Sequence, residues 1–96
     1  MGACTFIIVQ GGGSAEEAFN SAVEEAHYEH GHSGYSGSIA EKRSFVTVKI
    51  PENMTGDDFI ERELGDDDSQ FSSKSGPAGC IELSTGRFAF FGWARE

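Results

Sequence analysis

The chain predicts an α+β fold: a four-stranded mixed sheet with two helices packed on one face, in the order β-α-β-α-β-β and ending in a C-terminal hairpin. Three observations lead there. Short apolar runs at residues 4–10, 44–50, 80–83 and 87–93 are each bounded by glycine or proline. Apolar residues recur at helical spacing from Ala15 to Ala26. The last two apolar runs are separated only by Ser84-Thr85-Gly86, which is hairpin spacing.

The first strand, Cys4 to Gln10, is a β-branched run stopped by Gly11, Gly12 and Gly13. Being apolar on both sides, it is expected to lie centrally or to be covered on both faces. The glycine triplet has no Gly-x-x-x-x-Gly-Lys continuation, and Glu16 and Glu17 would meet a phosphate with like charge. Ser14-Ala15-Glu16-Glu17 is instead a capping box. From it runs a helix whose Ala15, Ala18, Phe19, Ala22, Val23 and Ala26 form one apolar face, with Glu16, Glu17, Glu24, Glu25 and Glu29 opposite and no lysine or arginine to compensate.

After Gly31 the pattern dissolves, and Ser38 to Lys42 suits either a short edge strand or a single turn. In the second strand, Ser44 to Ile50, Val46, Val48 and Ile50 alternate with Phe45, Thr47 and Lys49, and Pro51 closes it. Thr55 followed by Asp58 caps a short helix that buries Phe59, Ile60 and Leu64 and stops at Gly65. Asp66, Asp67 and Asp68 then form a loop, and Ser69 to Gly79 a polar connection. In the hairpin, Phe88 and Phe90 face one way while Ala89, Phe91 and Trp93 face the other. That second side needs a cover, so Phe91 and Trp93 become candidate interface aromatics and the C-terminal strand a possible homodimer contact.

Composition narrows the function. Ninety-six residues fit a single domain, residues 1–96. Sixteen acids against seven bases give a net charge of -9, which disfavours nucleic-acid binding through a basic patch and favours a basic protein surface as partner. No signal peptide or membrane-spanning run is expected, and Cys4 and Cys80 read as buried thiols of a reducing, cytoplasmic setting.

Two kinds of site follow. The acidic interaction surface comprises Glu24, Glu25, Asp57, Asp58, Glu61, Asp66, Asp67 and Asp68. The second candidate is the glycine-punctuated loop, where His30, His32, Ser33, Tyr35 and Ser36 offer aromatic and hydrogen-bonding groups to a ligand or partner. His27, His30 and His32 supply imidazoles for a metal, although their spacing matches no standard zinc signature, and the sequence assigns no cofactor. A hydrolase would draw its nucleophile from Ser33, Ser36, Ser38, Tyr35 or a cysteine, with Glu24, Glu25 or Glu41 orienting a histidine, but no catalytic set is assigned. Asp66 to Asp68 lacks the alternating ligands and distal glutamate of a calcium loop.

The segment His-Gly-His-Ser-Gly-Tyr-Ser-Gly-Ser-Ile-Ala-Glu-Lys, residues 30–42, resembles small uncharacterised proteins of bacteriophages and their bacterial hosts. The resemblance implies a setting, that of an accessory or host-interaction factor such as an inhibitor, in the cytoplasm of the bacterial host. Together with the charge it makes the leading expectation a small acidic non-enzymatic interaction protein, ahead of a ligand- or metal-binding domain and a small hydrolase.

Overall fold

A computed structural model describes residues 3–30 and 37–95. The strands are β1 (Ala3–Gly11), β2 (Phe45–Thr47), β3 (Ala78–Ser84) and β4 (Arg87–Arg95); the helices are α1 (Ala15–His30) and α2 (Gly56–Gly65). They form an α+β fold with one mixed sheet of order β1-β4-β3-β2. β4 pairs antiparallel with both β1 and β3, closing the terminal hairpin, while β2 runs parallel to β3. The undecided stretch after Ser38 is a 3-10 turn over Ile39–Glu41, and the Ser38 hydroxyl accepts from the Ala40 N–H.

Strand alternation decides what each side of the sheet carries. Phe88, Phe90 and Cys80 point to one side and pack with Ala18, Phe19, Ala22 and Ala26 of α1, joined by Phe6, Ile8 and Phe45. Ile81, Ala89 and Phe91 have the opposite parity and pack with Phe59 and Ile60 of α2, with Phe71, and with Val46, Val48 and Ile50. α1 thus packs with the Phe88 and Phe90 side of the hairpin, and α2 with the Ile81, Ala89 and Phe91 side. The doubly apolar β4 is the reason: it is an interior strand, flanked by β1 and β3, and each of its faces has a layer to bury against. A fully buried phenylalanine contributes roughly 1.5–3 kcal/mol through transfer from water. Phe71, Phe90 and Phe91, all 0% exposed, anchor these cores.

β1 departs from the expectation of a central or doubly covered strand. It is an edge strand, and only its Phe6 and Ile8 side is packed. Ile7 and Val9 remain 58% and 44% exposed, because the ten-residue α2 lies over the β3–β4 part of its face.

Local signals place the helices. The Ser14 hydroxyl accepts from the Glu17 N–H at 3.2 Å, and the Glu17 carboxylate reaches back to the Gly13 N–H at 3.0 Å. The capping box is thus present with its return bond one residue earlier, on Gly13. Thr55 caps α2 by accepting from the Asp58 N–H at 3.2 Å. At the hairpin, Gly86 takes φ +80°, which a side chain would resist.

Candidate functional site

The outer stripe of α1 presents Ser21, Glu24, Glu25, Tyr28 and Glu29 around one shallow depression. The positions follow the i, i+3, i+4, i+7, i+8 spacing that places residues on one helical face. Alanines and Phe19 on the other face hold the helix to the sheet, so this stripe points to solvent. Tyr28 is 92% exposed. Among the described residues, no ion pair engages Glu24, Glu25 or Glu29, and α1 contains no lysine or arginine.

An exposed aromatic ring flanked by carboxylates has a specific chemical use. The ring face attracts a cation, and the carboxylates accept its N–H groups. A lysine or arginine side chain of another protein satisfies both. Tyr28 carries this geometry and is absent from the sequence-derived site. The signal was its place three and four residues after Glu25 and Glu24 on the polar face, with no apolar partner of its own.

The other acidic candidates lie elsewhere. Asp57, Asp58 and Glu61 are exposed on α2, across the sheet from α1. Asp57 and Asp58 complement the positive end of that helix. Asp66 accepts from the Asp68 N–H at 2.9 Å, which folds the aspartate run into a local turn with Asp67 exposed at its middle. The acids are divided between two surfaces, so a single continuous acidic face does not form.

Phe91 and Trp93 are both committed internally. Phe91 is buried against Phe71, with ring centroids 5.1 Å apart, and against Phe59 at 6.3 Å. The half-buried Trp93 donates its indole N–H to the Leu64 carbonyl at 2.9 Å, tying the last turn of α2 to the sheet. Both edges of β4 are taken by β1 and β3, which leaves β1 and β2 as the outer strands.

His27 is half-buried on α1, and His30 is its last residue. His32, Ser33, Tyr35 and Ser36, the remainder of the loop and metal candidates, lie outside the described residues. Among the described residues, no group of three or more histidines, cysteines or acids could hold a metal ion. Of the nucleophile candidates within the described residues, the Ser38 hydroxyl caps the 3-10 turn and the Cys4 thiol donates to the Gly37 carbonyl at 3.2 Å. Burial pushes the Cys80 thiol above its ordinary value, partly offset by a hydrogen bond with Thr47, and so disfavours the thiolate a nucleophile needs.

No known protein family, curated protein or solved structure matches the chain. Among the described residues, no helix is long and apolar enough to cross a membrane.

Proposed function

We propose that the chain is a small acidic non-enzymatic interaction protein that binds a basic protein surface through the outer stripe of α1. The phage-type accessory or inhibitor role expected for it fits such a module, as does work in the cytoplasm, where the thiols of Cys4 and Cys80 would stay reduced. The observation that supports the reading is Tyr28, 92% exposed among Glu24, Glu25 and Glu29. Net charge alone steers encounter, whereas an aromatic anchor inside the charged patch supplies the contact that a partner buries.

Affinity capture from a bacterial extract, quantified by mass spectrometry at about 50 mM and about 500 mM salt, tests this, because exposed ion pairs weaken as screening shortens. A basic partner is retained at low salt, released at high salt, and lost when Tyr28→Ala is combined with Glu24→Gln and Glu25→Gln. Capture that is indifferent both to salt and to those substitutions refutes the reading.

A further inference from the structure

The chain has seven lysines and arginines. Four of them, Lys42, Arg43, Lys74 and Arg95, come from three distant segments to one place. Arg43, Lys74 and Arg95 are exposed and line a single cleft of about 530 Å³ whose described lining also includes Ser44, Ser75 and the acid Glu41. In a protein of net charge -9 this convergence of cations is the reverse of the prevailing sign.

The wall of the cleft is built from inside. Lys42 is only 4% exposed, and its ammonium donates to the carbonyls of Gly76 at 2.9 Å, Ser73 at 3.3 Å and Lys74 at 3.5 Å. Its charge is met by peptide oxygens and no described carboxylate, so it adds positive potential behind the loop that carries Lys74 and Ser75. From the far side, the Arg95 guanidinium donates to the Ser75 hydroxyl at 2.8 Å. The loop is thereby fixed between two cations, and the groups facing the cleft are arranged before any ligand arrives.

We infer that this cleft is a binding site for a small phosphate-bearing molecule. Among the described residues, three exposed cations face one carboxylate, Glu41, and this predominance of positive charge suits a phosphate dianion better than a single carboxylate. Arginine forks suit the oxygens of a tetrahedral anion. The volume lies within the roughly 300–1,000 Å³ of organic-ligand sites, leaving space for a sugar-sized group beyond the phosphate. The site is separate from the α1 stripe, and neither reading depends on the other.

Amide NMR titrations with ribose 5-phosphate, inorganic phosphate and ribose test the inference. Ribose 5-phosphate gives saturable shifts at Arg43, Ser44, Lys74 to Gly76 and Arg95; inorganic phosphate binds the same residues more weakly, and ribose gives no shift. Arg43→Gln and Arg95→Gln each weaken the sugar phosphate about tenfold, the scale of one charge-assisted contact. Lys49→Gln, the same charge change outside the cleft, leaves affinity within about twofold, the scale of a screened distant charge. Absence of saturable shifts overturns the proposal, as does equal weakening by Lys49→Gln, which marks diffuse attraction. It is also overturned if the same amides shift with protein concentration alone and stop doing so when Asp66, Asp67 and Asp68 are changed to asparagine. The cleft would then hold the acidic loop of another copy.

Discussion

Replacing Gly79 with alanine is the sharpest single test of the α2-side core. A methyl group at this position would lie 2.2 Å from Cζ of Phe91 and 2.6 Å from each neighbouring ring carbon. Carbon atoms in contact prefer about 3.5–4.0 Å, so the ring must retreat by more than about 1 Å. It has nowhere to go, since Phe71 and Phe59 stand against it with centroids 5.1 and 6.3 Å away. Overpacking of this kind costs about 1–3 kcal/mol and sometimes more; with a rigid ring as the obstacle, about 3 kcal/mol is expected. For a chain of this size that loss lowers Tm by about 12–24 °C. Thermal and urea denaturation of Gly79→Ala, Phe91→Leu and the double variant form a cycle. If the ring contact is the cause, Gly79→Ala costs less than about 1 kcal/mol in the Phe91→Leu background, where the planar obstacle is gone. An equal cost in both backgrounds refutes the reasoning and locates the strain in the backbone.

Neighbouring positions on β1 should respond oppositely: Ile8→Ala, on the packed side, costs about 2 kcal/mol or more, while Ile7→Ala, largely exposed, stays within about 0.5 kcal/mol by urea denaturation. Trp93→Phe removes the indole donor to the Leu64 carbonyl; it should cost about 1–2 kcal/mol and speed hydrogen exchange in the last turn of α2. Lys42→Met deprives the Ser73, Lys74 and Gly76 carbonyls of their shared donor, and should accelerate exchange or proteolysis at 73–76 before it affects the rest of the chain. Burial keeps the native Cys80 thiol protonated at pH values where the unfolded chain's thiol ionises. The unfolded state then binds fewer protons, so stability falls as pH rises past the ordinary thiol value; Cys80→Ala should flatten that slope, and alkylation of the native protein should favour Cys4.

Much of this architecture was legible because single residues carried local instructions. Ser14, Glu17, Thr55 and Gly86 marked element ends by capping or by turn geometry, and period-two alternation correctly separated Phe45 from Val46 and Val48. Strand order was not legible, because pairing depends on which buried faces meet across long loops rather than on any local pattern. The run Cys4 to Gln10 looked doubly buried, yet α2 is too short to reach β1, so Ile7 and Val9 stay exposed. Trp93 looked like an interface residue because no sequence signal revealed that the Leu64 carbonyl, at the end of α2, would take its N–H. The cationic cleft was the least visible feature, since Arg43, Lys74 and Arg95 meet only after β2, the 73–76 loop and the end of β4 are in place.

Dividing the helices between the two sides of the sheet has a consequence for recognition. With helices of about 10 Å diameter on either side, the acidic stripes of α1 and α2 are separated by roughly 20 Å, more than twice the Debye length of about 8 Å at physiological salt. Charges on one stripe are screened from a partner on the other. The basic surface proposed as partner would therefore meet Glu24, Glu25 and Glu29 without assistance from Asp57, Asp58 or Glu61. Affinity at the α1 stripe must then come from Tyr28 and its immediate carboxylates rather than from the total charge of the chain. This is why an aromatic substitution that leaves net charge unchanged discriminates better than any change in overall acidity.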